Sequence, residues 1–228
     1  MTPTPLLPQP ATILDALFSS PATILTNLDL DVRGTSVTDE QLQRLAGCPG
    51  GGVVSVTDDA DAIYLESRHR DLIENNWRNA NYVEIRRQGD EYYLYLDYIW
   101  FSTKCPKGFG AMALLNMAHT AAELGFSRID LLAAGGTGVK AGPWSEQYWG
   151  YEIWPRLGFD TELQPRMLAL TAKVPELRGM THVSQIVHAD LDWWKTNGDG
   201  WTMTFALERG STSWDTLYKF CKERGLFK

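Results

Sequence analysis

Apolar positions along this chain switch between two periods, and the switches mark out its elements. The clearest case is NYVEIRR, followed by Gln88, Gly89 and Asp90 and then by EYYLYLDYIWF. Two strand-like runs around a short Gly-Asp turn predict an antiparallel hairpin. In the second run Tyr93, Tyr95, Asp97, Ile99 and Phe101 share one face, and Leu94, Leu96, Tyr98 and Trp100 share the other. Both faces are largely apolar, so a central strand covered on both sides is expected. Over 109–124 the period becomes helical: Met112, Leu115, Ala118 or His119, and Ala122 recur on one stripe, and Gly125 is a natural stop. FSRIDLLAAGG then returns to a β-rich run. Strand, helix and strand in this order predict a right-handed crossover with parallel strands.

Flanking segments follow the same logic. ATILDALFSS predicts a short helix and LTNLDLDVRG an extended run. Thr38 and Gln41 have capping-box spacing before DEQLQRLAG, a short helix ending on Gly47. VVSVT and AIYLESRH predict strands about a DDAD turn. Near the end, Trp201, Met203, Phe205 and Leu207 alternate as a strand. STSWDTLYKFCKERG then places Trp214, Leu217, Tyr218 and Cys221 on one helical stripe. The expected class is α/β (α+β mixed), with an antiparallel entry into a βαβ unit. The expected organisation is a Pro-rich tail over 1–11, a core over 12–160 and a strand-helix extension over 161–228.

Composition narrows the function classes. The chain has 228 residues, 44% of them hydrophobic, which is ample for a packed core. A net charge of −7 and the lack of a basic stripe argue against nucleic acid as the main partner. Cys48, Cys105 and Cys221 are scattered and odd in number, and no Cys or His pair has ligand spacing, so neither a metal site nor a disulfide framework is expected. No apolar run reaches membrane-spanning length and no signal-peptide pattern opens the chain, so a cytoplasmic location is expected.

The candidate chemistry lies in KCPKGFGAMALLNMAHTAAELG (104–125), where a glycine turn feeds the helix. Helix N-termini offer unpaired N–H groups and a positive dipole end to anions. Gly108, Gly110 and Ala113 fit the dinucleotide fingerprint G-x-G-x-x-A, with Asp130 downstream. Six residues, STKCPK, separate the first glycine from the strand, however, and Asp130 falls near the start of the next strand instead of its far end. A second match beginning at Gly136 runs into Gly142 and Pro143. A purely structural turn with solvated Lys104 and Lys107 also fits.

A third reading rests on several motifs in order. CPKGFGA (105–111) resembles the Q/R-x-x-G-x-G/A loop of the GNAT acyltransferase superfamily. The hairpin strand before it, ELGF after the helix, RIDLL beyond, and WPRLGF (154–159), similar to a Y-x-x-x-G-F segment, resemble that family's order of parts over 92–160. The resemblance implies a mixed, partly splayed sheet with helices on both faces. It also implies acetyl-coenzyme A as acyl donor, no metal, and an amine acceptor. Its pyrophosphate would lie on Lys107, Gly108, Phe109, Gly110 and Ala111, with Lys104 or Lys107 adding charge. The pantetheine arm would pair with the backbone of Ile99, Trp100 and Phe101, in a gap before RIDLL.

Two positions depart from the family pattern. Cys105 stands where Arg or Gln is usual, either as a reactive thiol or as small filler. Trp154 stands where a tyrosine often protonates the departing thiolate, which leaves Tyr151, or else Tyr148, as the nearest acid. An alkyl amine is neutral at pH 7 only about once in 2,500, equivalent to about 4.6 kcal/mol, so a base is needed. Asp97 is the first choice, because it interrupts an aromatic face where desolvation would raise its pKa; Glu152 is the second. For Asp97 a salt bridge or tyrosine hydrogen bond, and for Tyr151 aromatic packing, are the structural alternatives. His119, mid-helix, is expected to be structural. A different class keeps the fold without turnover: a protein-binding scaffold using WSEQYWGYEIW (144–154) and the 161–228 extension.

Overall fold

The computed structural model describes residues 11–59, 61–73, 80–137 and 148–228. The Pro-rich start, most of the second glycine match and the 144–147 part of the aromatic stretch lie outside the described residues. The protein is mixed α/β, and its chain forms two compact units. The first unit holds the described residues up to Ile129, with Leu207–Arg209 and Tyr218–Lys228. The second holds Asp130–Ala206 and Gly210–Leu217. The 161–228 segment therefore contributes to both.

In the first unit, β1 (Thr23–Leu25) runs parallel to β4 (Val53–Asp59). Beyond it β5 (Ala62–Arg68), β6 (Asn81–Gln88) and β7 (Glu91–Tyr98) follow, each antiparallel to the last. A separate two-stranded ribbon, β2 (Asp31–Val32) with β3 (Thr35–Ser36), turns through Arg33 and Gly34, both at positive φ, the backbone that a tight hairpin turn requires. The capping box is formed: Thr38 Oγ1 accepts from Gln41 N–H at 3.2 Å and Gln41 Oε1 accepts from Thr38 N–H at 2.9 Å, opening α1 (Asp39–Leu45).

After β7 a loop leads to α2 (Phe109–Glu123), and then β8 (Arg128–Leu132) starts beside β7, where Ser127 N–H donates to the Tyr92 carbonyl at 2.9 Å. Helix α2 is buried along most of its length, from Phe109 through Ala121, and packs against α1. Leu94 and Leu96 of β7 are buried. On the opposite face, Tyr93 and Tyr95 are covered by the guanidinium groups of Arg128 and Arg86 at 4.0 and 3.8 Å from their ring centres.

The expected helix over 11–20 is reduced to one turn, Asp15–Leu17. Thr12 N–H and Thr12 Oγ1 both turn to the Asp15 carboxylate, and Thr12 bridges Phe227, so the segment is held by the C-terminal chain instead of by helical bonds. The second hairpin strand stops at Tyr98 and does not reach Phe101.

In the second unit β9 (Thr202–Ala206) lies next to the later part of β8. Asp130 Oδ1 accepts from Thr204 Oγ1 at 2.7 Å, and Ala133 N–H donates to the Trp201 carbonyl at 2.9 Å. Short helices fill the rest: α3 (Gly150–Arg156), α4 (Pro165–Thr171), α5 (Val183–Ala189) and α6 (Leu191–Asn197). Helix α7 (Thr212–Glu223) is divided between the units. A run of edge-on aromatic contacts, Trp154 to Phe159 to Phe205 to Trp214 at 5.2–5.6 Å, forms the second unit's core. No helix among the described residues is long and apolar enough to cross a membrane.

Candidate functional site

The end of β7 is irregular. Val83 pairs with Leu96 and Tyr82 with Tyr98, which leaves Asp97 without an opposite residue: a β-bulge. Bulges interrupt a ladder, re-aim side chains and are over-represented beside active sites. Past the bulge the chain leaves the sheet. Trp100 N–H turns to Asn81 Oδ1 at 2.6 Å and Ser102 N–H to the Leu72 carbonyl at 3.0 Å.

Two turns then carry the chain to α2. Cys105 N–H donates to Ser102 O at 3.0 Å and Phe109 N–H to Pro106 O at 3.1 Å. Gly108 caps the helix in the left-handed region, φ 89°. A Cβ there would also sit 2.5 Å from a Leu226 methyl, so conformation and packing both call for glycine. At Gly110 a Cβ would meet only the Phe101 ring, at 3.6 Å, an ordinary contact. The ladder begins with Met112 N–H onto Gly108 O, so the amides of Gly110 and Ala111 belong to the first turn, outside the ladder.

The structure brings Asp97, Ile99, Trp100, Phe101 and Lys107 through Ala111 into one unit, though not all in the expected roles. Asp97 is exposed, so the burial expected on this face is not there. The reason is the bulge, which takes Asp97 out of register with the half-covered tyrosines. Phe109 is core: it is 1% exposed, stacks on Phe18 at 5.0 Å and meets Phe101 edge-on at 4.9 Å. Its N–H and that of Trp100 are already committed within the chain. Lys107 and Lys104 are exposed. The Cys105 thiol donates to the Leu72 carbonyl at 3.3 Å, and burial pushes its pKa up, the opposite of an activated thiol. His119 is buried with Nε2 2.7 Å from Tyr218 Oη, and desolvation, with a smaller push from Arg44, lowers its pKa to about 4.

Tyr151 lies in the second unit on α3. Its hydroxyl donates to the Lys195 carbonyl at 2.9 Å, and its own carbonyl accepts from Trp194 Nε1 at 2.8 Å. Burial raises its pKa, reinforced by Glu152 and opposed by Lys195. The proton is present but held in a structural bond. Glu152 is within 3.8 Å of Arg156 and 4.0 Å of Lys195. Tyr148 is half-buried, and Trp154 packs on Phe159.

One polar group at this site was not anticipated. Asn81 is fully buried, and its Nδ2 has no hydrogen-bond partner. A signal existed in the sequence. Asn81, Val83 and Ile85 share the core phase of β6, and a carboxamide in that phase needs partners on both ends. Among the described residues no group of three or more His, Cys, Asp or Glu is placed to hold a metal ion. Compared with family models, curated proteins and solved structures, the chain matches none.

Proposed function

We propose that the protein is an acyl-coenzyme A-dependent N-acyltransferase, with acetyl the simplest acyl group and an amine as acceptor. The observation that carries this reading is the junction of bulged β7 with α2. A 15-residue helix is entered through a left-handed glycine, and its first-turn amides at Gly110 and Ala111 stand outside its ladder. Such an end suits a pyrophosphate, with the helix dipole contributing about 0.3–1 kcal/mol and exposed Lys107 adding a charge. The resemblance of CPKGFGA to the GNAT loop supports the same ligand.

In this reading the amine attacks the thioester carbonyl beside the 99–101 backbone. The C–S bond breaks as the C–N bond forms, and the thiolate departs as coenzyme A. The attacking nitrogen's proton passes to Asp97, an exposed carboxylate at the bulge, directly or through water. No residue is assigned to protonate sulfur.

Calorimetry with acetyl-coenzyme A, followed by thiol release with a panel of polyamines and lysine peptides, tests the reading. Saturable binding and amine-dependent release are expected, and Asp97→Asn should lower kcat/KM by about 100-fold at unchanged cofactor affinity. Absence of acetyl-coenzyme A binding would sink it.

A second reading has support from one observation. With the Tyr151 hydroxyl bound to Lys195 O, the tyrosine nearest the expected acid position is engaged within the chain, which suits a scaffold that binds partners without turnover. Trp149 and Ile153, one helical turn apart and 46% and 45% exposed, would supply part of its contact surface. Partner capture without coenzyme A affinity would favour it.

A further inference from the structure

Asn81 opens β6 opposite Ser67 of β5, and its side chain reaches the backbone just beyond the end of β7. Its orientation is fixed by chemistry. Trp100 N–H is a donor, so the carboxamide atom facing it at 2.6 Å must be the oxygen; turning the amide over would set donor against donor. The atom without a partner is therefore the NH2 group, with two hydrogens to give. Ser67, opposite in the sheet, turns its hydroxyl to the Ala46 carbonyl at 3.0 Å and does not pair with the Asn81 amide nitrogen. A buried donor left unpaired costs about 1–3 kcal/mol. This one lies against the strand end where an acyl-pantetheine arm would run.

We propose that Asn81 Nδ2 is a substrate-positioning donor that takes a carbonyl oxygen of the acyl-pantetheine arm. The proposal rests on the coenzyme A reading above and adds a contact that backbone groups do not supply, since Trp100 N–H is already engaged. Asn81 is enclosed, so admitting the oxygen requires the half-buried 99–101 segment to give way. Binding then exchanges an unpaired donor for a paired one, and the same bond recognises a carbonyl in the arm. The nucleotide end, held at the helix start, does not depend on it.

The test is calorimetry on the full chain at pH 8 with acetyl-coenzyme A, free coenzyme A and adenosine 3′,5′-bisphosphate. Asn81→Asp keeps an acceptor for Trp100 N–H and removes the donor; Asn81→Ala removes both and guards against a folding failure of the first variant. Bisphosphate should bind both variants as it binds the parent, with acetyl-coenzyme A about tenfold weaker. If free coenzyme A weakens equally, the oxygen is a pantetheine amide; if only acetyl-coenzyme A weakens, it is the thioester carbonyl. In the parent protein the Asn81 side-chain amide resonance should move with acetyl-coenzyme A and stay still with bisphosphate. Unchanged acetyl-coenzyme A affinity in both variants, or an equal loss for bisphosphate, overturns the role of Asn81 alone. A parent protein that binds none of the three overturns the coenzyme A reading and this proposal with it.

Discussion

Around α3 the hydroxyl of Tyr151, the indole N–H of Trp194 and the carboxylate of Asp160 each have close partners, whereas at the end of β7 the Asn81 amide nitrogen has none. Both regions were candidates for chemistry, the first through Tyr151 as nearest to the tyrosine position held by Trp154, the second through Asp97 and the glycine loop. Their hydrogen bonds separate them. Where these three groups are paired within the chain, packing accounts for them; where a donor is buried and unpaired beside an interrupted strand, the structure holds capacity for a ligand.

The largest effect should come from breaking the satisfied region. Trp194 is completely buried and bonds Tyr151 O. Trp194→Ala should cost about 3–5 kcal/mol in urea unfolding. A loss under 1 kcal/mol would mean that α3 and α6 are not held together in this way.

Next is the pH response of α2. The folded pKa of His119 is about 4, below the usual 6.5, so the unfolded chain binds the extra proton between those values. Its contribution is fully present above pH 6.5 and lost as pH falls toward 4, about 3 kcal/mol in all. Stability measured from pH 7 to 4 should fall with this slope and flatten in His119→Leu. An unchanged slope in the variant would show that other groups dominate.

The two loop glycines sharpen the contrast further. Gly108→Ala forces a left-handed alanine against Leu226 and should cost about 2 kcal/mol. Gly110→Ala has room beside Phe101 and should be neutral or stabilising by up to about 1 kcal/mol. Equal losses at both positions would contradict the assignment of Gly108 as the strained cap.

Much of the frame was legible because it is periodic: the hairpin, α2, β9 and α7 each repeat one face along the chain. The breaks were not. The strand expected to reach Phe101 stops at Tyr98, because a bulge depends on which residue of β6 stands opposite, and a single strand's pattern does not contain that. Helices α4, α5 and α6, of seven residues each, are too short to show a stripe. The starts of α4 and α6 were nevertheless marked, by Pro165 at the first helical position and by Asp190, which accepts from Trp193 N–H at 2.8 Å. The burial assigned to Asp97 failed for the same reason as the strand end. The fate of Tyr151 was decided by a carbonyl 44 residues away.

Tyr151→Phe should have the smallest effect and decides most directly between the two regions. Removing the hydroxyl leaves the Lys195 carbonyl short of one donor, a loss of about 1 kcal/mol in stability. If the hydroxyl is structural, kcat for acyl transfer stays within about twofold, because a departing thiolate, with an ordinary thiol pKa of about 8.5, needs little help from an acid. If Tyr151 is instead the proton donor, kcat falls by about 100-fold or more and the alkaline limb of its pH profile, set by the raised tyrosine pKa, disappears. Measuring stability and pH-rate profile on the same variant separates the two outcomes, since a packing role moves the first and a catalytic role moves the second.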